Sequence, residues 1–242
     1  MTNQIFIQAR MGSKRFPGKI LKKINNKTLI EILLERLQNV NKIDKILLIT
    51  GNSEKNEQLV SEAKRLDLEY FCGNENNILD RFYQASKKFN SDNIIRITGD
   101  NPLVDYEIVN QGLDIFLENK FDILSNNRIR TYPLGLNFEI FTKNALERSW
   151  NENFEKFKNE EEFFKTFIPP TKYMLERENF NNYDLINETD YSSLRLTIDY
   201  PEDFEVVTKI FESLYSKNKN FTLTEIIQFL KNHPNLSKLN KT

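Results

Sequence analysis

Residues 5–19, Ile-Phe-Ile-Gln-Ala-Arg-Met-Gly-Ser-Lys-Arg-Phe-Pro-Gly-Lys, decide the fold class and the first candidate site together. Ile5–Ala9 reads as a strand, and a loop rich in cations and glycine follows it directly. Outward from this point, short apolar runs alternate with amphipathic stretches. Within Thr28–Asn39, Leu29, Ile32, Leu33, Arg36 and Leu37 recur at helical spacing. Ile46–Thr50 is a second strand, Asn56–Leu66 a second helix, and Glu69–Cys72 a short strand. Ile78–Phe89 follows as a helix with Leu79, Phe82, Tyr83 and Ala85 inward. Asn93–Thr98 is a strand, and Asp105 is placed to cap a helix near Tyr106–Glu118. Strand and helix in alternation with short connections predict a parallel sheet covered on both faces. Residues 1–125 are α/β.

The second half changes texture. Phe121–Ser125 and Asn137–Thr142 read as strands separated by the loop Asn126–Leu136. Asn151–Phe180 is charged, aromatic and helical, broken by Pro169-Pro170. Tyr183–Ile186 and Leu194–Asp199 read as strands, followed by helices near Pro201–Ser216 and Thr222–Asn232. Neither an internal repeat nor a low-complexity linker interrupts the chain. Residues 127–190 therefore read as an insertion that returns to the same sheet, within one domain spanning 1–242.

Composition narrows the function. The chain has 242 residues with 34 Lys+Arg against 35 Asp+Glu. A formal charge of −1 leaves no cationic excess to displace counterions along a duplex, so no nucleic acid is expected as a partner. With 39% hydrophobic residues, including 19 Phe and 9 Tyr, a sizeable core is available. A single cysteine permits no intramolecular disulfide and fits a reducing, cytoplasmic location. The longest apolar runs are strand-sized, and neither a membrane helix nor a signal peptide is expected. The one histidine, His233, lies near the C-terminus, which argues against Ser-His-Asp triads and His-rich zinc sites.

Three strand ends carry candidate chemistry, and a fourth loop adds a weaker signal. Gln8–Lys19 places Arg10, Lys14, Arg15 and Lys19 with two glycines beyond the first strand, where open parallel sheets bind ligands. Glycine lets backbone N–H groups approach phosphate oxygens while the cations neutralise their charge, so the loop reads as a polyphosphate site. It fits neither G-x-x-x-x-G-K-[ST] nor G-x-G-x-x-G. A solvated basic loop is the plainer reading. Arg96-Ile97-Thr98-Gly99-Asp100-Asn101-Pro102 brings a strand into an acidic turn, and a carboxylate beside polyphosphate commonly holds Mg²⁺. Asp100 also reads as an ordinary turn residue before proline. Asp199 ends the segment Arg195–Asp199 ahead of Pro201, Glu202 and Asp203, either as a second metal ligand or as a helix cap. Glu202 and Asp203 read as partners of the helix dipole. Gly73–Phe82 offers backbone N–H groups and Asn amides to a nucleobase, or simply caps its helix.

Five blocks together resemble the cytidylyltransferases that activate sugars. They are QARMGSKRFPGKIL, GNENNILDRFYQA, IIRITGDNPLVD, SNNRIRTYPLGLNFEIF and LRLTIDYPEDFEVV. They fall in the family's order over almost the whole chain. The likeness is nearest to the spore coat polysaccharide biosynthesis proteins of SpsF type, and more distant to CMP-sialate and CMP-Kdo synthetases. The resemblance implies a Rossmann-like, glycosyltransferase-A-type nucleotidyltransferase fold, with a mostly parallel mixed sheet and helices on both faces. It implies transfer of CMP from CTP to a sugar or sugar-like acid, with Mg²⁺ as cofactor and release of pyrophosphate. By matching position, Arg10 and Lys19 would hold the triphosphate. Ala9, Gly12 and Ser13 would shape the nucleotide pocket, with Gly73 and Asp80 beside it. Asp100 and Asp199 would hold the metal, and Arg10, Lys19 and Asp100 would carry the catalysis. Arg130 and Glu139 would face the acceptor. Relatives that dimerise through the middle region imply a homodimer.

Two departures fall on the acceptor side. Where the group carries Glu-His-Val-Thr-Pro-Tyr, this chain has Phe163-Phe164-Lys165-Thr166-Phe167-Ile168-Pro169-Pro170, and Leu134 replaces an acidic residue before Gly135. Two other readings stay open at this stage. One is a glycosyltransferase of the same fold, against which the turn Thr98-Gly99-Asp100-Asn101 lacks an Asp-x-Asp motif. The other is a non-catalytic nucleotide-binding module.

Overall fold

A computed structural model describes residues 1–239, so the last three positions of the expected 1–242 domain lie outside the described residues. The chain opens with strand β1 (Asn3–Gln8), the basic loop and a single 3-10 turn (Lys19–Leu21). A two-stranded hairpin follows, β2 (Lys23–Ile24) and β3 (Lys27–Thr28), which the apolar pattern does not foresee. Its signal is the dipeptide Asn25-Asn26, both at positive φ (49° and 65°), as a tight hairpin turn requires.

Helix α1 (Leu29–Leu37) is capped by Thr28, whose side chain accepts from Glu31 N. Then come β4 (Lys45–Gly51), α2 (Glu57–Arg65), β5 (Glu69–Gly73), α3 (Ile78–Lys88), β6 (Asn93–Thr98) and α4 (Tyr106–Glu118). Asp105 caps α4 as expected, accepting from Glu107 N at 2.9 Å.

Next are β7 (Ile123–Ser125), β8 (Phe138–Thr142), α5 (Lys143–Phe154), α6 (Glu160–Lys165), α7 (Lys172–Glu176), β9 (Asn182–Asp184), α8 (Pro201–Tyr215) and α9 (Leu223–Asn232). The expected helical stretch Asn151–Phe180 is thus the end of α5 plus two short helices. Residues 127–190 place β8 and β9 in the sheet.

Seven strands form one mixed sheet in the order β5-β4-β1-β6-β8-β7-β9. β5, β4, β1 and β6 are parallel, β8 runs antiparallel to both β6 and β7, and β9 is parallel to β7. Alternation along the strands sorts the core into two layers. Ile5, Ile7, Leu48, Ile95 and Ile97 face one layer with α1, α4, α8 and α9. Phe6, Leu47, Ile49 and Ile94 face the other with α3 and α5.

The apolar pattern of Leu194–Asp199 predicts a strand, and the segment is not one. It forms a single bridge, Leu134 to Arg195. Its hydrogen bonds divide between two partners: Leu196 N donates to Leu134 O (2.6 Å) and Ile198 N to Asp100 O (2.9 Å). An extended segment that crosses between neighbours does not build a ladder along either one.

From β1 the chain moves outward through β4 and β5, then returns to place β6 on the other side of β1. The switch in direction falls between β1 and β6, whose last residues, Gln8 and Thr98, are paired in register. In an open α/β sheet a ligand crevice belongs beyond that point.

Candidate active site

A cleft of ≈ 360 Å³ opens at the switch point. Its walls include Gln8, Ala9, Arg10 and Ser13 after β1, Thr98, Gly99 and Asp100 after β6, Asp199, and Ile78 and Arg81 on α3. Five cations (Arg10, Lys14, Arg15, Lys19 and Arg81) face two carboxylates, Asp100 and Asp199. A surplus of positive charge in a partly desolvated crevice suits a polyanion.

Gly18 adopts φ +67°, the left-handed conformation that glycine reaches without strain, and turns the chain into Lys19–Leu21. That turn drives Lys19 inward to 9% exposure. Its Nζ donates to Asp100 Oδ2 at 2.9 Å, to Asp199 Oδ1 at 3.0 Å and to the carbonyl of Ile198. The basic loop and both strand-end carboxylates therefore meet on one ammonium.

Gly135 makes the approach of Asp199 possible. It sits at φ +114°, and a Cβ there would fall 2.4 Å from Leu196 C and Thr197 N. Only a residue without a side chain lets residues 194–199 cross so closely and reach Asp100. Asp199 also meets Arg15 at 2.8 Å and Arg195 at 2.9 Å. Burial works to raise its carboxyl, but Lys19, Arg195 and Arg15 outweigh burial and hold it below the ordinary value of 3.8. Asp199 is not the helix cap: Tyr200 holds that position. The carboxylate of Asp203 accepts from Asp199 N (2.8 Å) and Tyr200 N (2.9 Å) and also binds Arg195.

Of the residues proposed from sequence, Ala9, Arg10, Ser13, Lys19, Asp100 and Asp199 line the cleft together. Gly12 sits beside it on an exposed stretch of the loop, and Gly73 stands at the end of β5 with its carbonyl accepting from Asn52 N at 2.8 Å. Asp80 turns away from the cleft and accepts from Trp150 Nε1 and Gln84 Nε2, both at 3.0 Å. Glu139 is 4% exposed and pairs with Arg96 at 2.6 Å, so it reaches the cleft only through Arg96 and Gln8. Arg130 lies on an exposed stretch of the Asn126–Leu136 loop, outside the cleft wall.

Arg81 and Phe167 also line the cleft without a singled-out role in the sequence reading. Arg81 is 2% exposed, and burial pushes its guanidinium down to about 10. It is held by the carbonyls of Asn74 and Glu75, each at 2.8 Å. Its position one helical turn after Ile78 is visible in the sequence; its burial against the β5–α3 loop is not. Phe167 lines the cleft while 60% exposed. Ile168, next to it, accepts from Ile78 N (3.1 Å) and Leu79 N (3.0 Å), which straps this segment to the start of α3.

The two carboxylates fit Mg²⁺. They already converge on a single cation, and Mg²⁺ is commonly held by one or two carboxylates with phosphate and water oxygens completing its shell. Among the described residues no group of three or more His, Cys, Asp or Glu is placed to hold a metal unaided.

A family model described as cytidylyltransferase matches residues 4–232. The chain belongs to the cytidylyltransferase family. It is accordingly a nucleotidyltransferase enzyme, and the glycosyltransferase reading falls away. The cytidylyltransferase fold continues through its relatives. A solved cytidylyltransferase from Leptospira borgpetersenii is 31% identical, covers 100% of this chain and 98% of its own, and superposes with a TM-score of 0.88. The uncharacterised protein MJ1063 of Methanocaldococcus jannaschii is 36% identical over 97% of this chain and 92% of its own length. The spore coat polysaccharide biosynthesis protein SpsF of Bacillus subtilis is 28% identical over 94% and 93% respectively. No helix among the described residues is long and apolar enough to cross a membrane.

Proposed function

We propose that this cytidylyltransferase transfers CMP from CTP to an oxygen of a sugar or sugar-like acid, releasing pyrophosphate, in the synthesis of a surface polysaccharide or glycoconjugate. The observation that carries the reading is the meeting of Lys19, Asp100 and Asp199 beneath the basic loop. The polysaccharide setting draws on the likeness to SpsF.

In the reaction an acceptor oxygen forms a bond to the α-phosphorus as the bond to the bridging oxygen breaks, and pyrophosphate departs with its electron pair. Little covalent chemistry falls to the protein, so alignment and charge neutralisation supply the rate. Arg10, Lys14 and Arg15 take up charge on the triphosphate and on the leaving pyrophosphate. Ala9 and Ser13, with Gly12, shape the nucleotide pocket, and Arg81 closes it from α3. Asp100 and Asp199 would hold Mg²⁺, which when bound offsets charge on the phosphate oxygens. Lys19 holds both carboxylates in place and adds its positive charge to the cleft that receives the triphosphate. The only histidine, His233, is not among the residues of the cleft wall, so proton removal from the acceptor falls to a carboxylate, a hydroxide, or prior ionisation of the acceptor. Residues 127–190 supply the acceptor side and the contact of a homodimer.

The test is pyrophosphate release. Purified protein with CTP and Mg²⁺ should release pyrophosphate only when a competent sugar or sugar acid is added, in step with formation of its CMP ester. CTP binding with no release across sugars, sugar acids and phosphorylated alcohols would overturn the catalytic reading in favour of a nucleotide-binding module.

A further inference from the structure

The loop that carries Arg10, Ser13, Lys14 and Arg15 closes on one residue. Met11 O accepts from Ser13 N at 2.9 Å and from Gly18 N at 3.4 Å, so residues 11–18 form a ring of backbone. Met11 N donates outward at 2.9 Å to Oδ1 of Asn56, a residue only 1% exposed.

The other end of that amide ties down two further loops. Asn56 Nδ2 lies 3.0 Å from Gly51 O, 3.2 Å from Ser53 Oγ and 3.1 Å from Glu75 Oε2. A donor on one side and acceptors on the other fix which way the amide points. Glu75 packs against Gly51, where a Cβ would fall 1.7 Å from its Oε2. The backbone carbonyl of Glu75 accepts from Arg81, which lines the cleft. One buried side chain therefore joins the loops that follow β1, β4 and β5. None of Asn56, Met11 and Glu75 is part of the cleft wall.

We infer that Asn56 is a positioning residue for the phosphate-binding loop, acting through the amide of Met11, with Glu75 as its partner. A cationic loop that is ordered before its ligand arrives does not spend binding energy on ordering. Loss of the tie therefore weakens nucleotide binding. Lys19 keeps its own three partners, so the reacting centre is disturbed far less. The inference rests on the proposed CTP site for its kinetic consequence, but not for the loop's anchorage.

The test uses Asn56→Asp alone and combined with Glu75→Gln. The carboxylate introduced by Asn56→Asp retains an acceptor for Met11 but loses both donors and stands against the carboxylate of Glu75. In the double variant the amide introduced by Glu75→Gln supplies the missing donor. Two readouts are taken on the full chain, hydrogen–deuterium exchange at the Met11 amide and the KM for CTP against kcat. Asn56→Asp should speed Met11 exchange and raise the KM for CTP about tenfold, in the range of one buried hydrogen bond, with kcat held within about twofold. The double variant should recover most of both. Unchanged exchange and KM overturn the inference. So does a fall in kcat and melting temperature with no change in KM and no rescue, since that marks Asn56 as structural only. If the parent chain binds no CTP, the proposed function falls, and Met11 exchange alone decides whether Asn56 anchors the loop.

Discussion

The basic loop with its carboxylates and the segment 127–190 are built in different ways. On the side of residues 8–19 and 98–100, every element is pinned: Gly18 sets the turn, Met11 closes the loop, and Lys19 is locked to two carboxylates. Residues 127–190 leave apolar side chains open, with Ile129 55%, Phe167 60% and Ile186 58% exposed; of these three Phe167 lines the cleft, and Ile186 lines a separate pocket with Tyr132 and Tyr191. The difference teaches that packing and ion pairing fix the basic loop, while residues 127–190 are held by a buried aromatic cluster and leave other apolar side chains free. A cationic loop held in place this way suits a polyanionic group.

The largest effect is expected within residues 127–190. Phe163 is fully buried among Trp150, Phe154, Phe157 and Phe164, and its backbone carbonyl accepts from Asn77. Phe163→Ala should cost about 3–5 kcal/mol of stability in denaturant unfolding. A cost under about 1 kcal/mol would show that this aromatic cluster does not hold that layer of the core together.

On the pinned side, Asp100→Asn should lower kcat about 100-fold or more while circular dichroism and melting stay close to the parent. A near-parental rate would remove Asp100 from the reaction centre. Lys19→Met leaves Asp100 and Asp199 facing each other without their shared cation. It should lower stability by about 1–3 kcal/mol, discounted from a fully buried pair because Asp100 is partly exposed. Mg²⁺ alone should then raise the melting temperature of the variant more than that of the parent. Equal shifts would contradict the idea that ammonium and metal share one place.

What the sequence discloses follows the same division. The parallel sheet, the Asp105 cap, the basic loop and the two carboxylates are all legible, because each is carried by a local pattern of strand, turn or cap. Asp199 does meet the group that holds Asp100, although the strand expected to deliver it is absent. Close passage at Gly135 does that work instead. Glu139 and Asp80 enter the expected site on matching position alone. Their partners, Arg96 and Trp150, come from neighbouring elements that local pattern does not bring together. Asn56, in the 3-10 turn before α2, carries no signal, since its role depends on three loops meeting in space.

Two smaller effects sharpen the contrast. Phe167→Ala should leave stability within about 0.5 kcal/mol, as for an exposed side chain, and raise the KM for the acceptor several-fold without changing that for CTP. An unchanged acceptor KM would separate Phe167 from the acceptor. The smallest effect concerns pH. Asp199 and Asp203 are both held below 3.8, against burial, by Lys19, Arg195 and neighbouring groups. A depressed carboxyl contributes stability that is present above its unfolded value and is lost as pH falls through its folded value. Their contribution should therefore hold from neutral pH down to about 5, decline progressively at lower pH, and be gone only once pH lies below both folded values, themselves under 3.8. Urea titrations across that range should show less acid sensitivity in Asp203→Asn than in the parent.

The central claim is that the basic loop and its two carboxylates form a CTP site. Calorimetric titration of the purified protein with CTP, UTP, GTP and ATP, with and without Mg²⁺, tests it most directly. Micromolar binding of CTP that strengthens with Mg²⁺ is expected, with the other triphosphates at least about tenfold weaker. Absence of triphosphate binding, or a preference for a nucleoside diphosphate or nucleotide sugar, would contradict it.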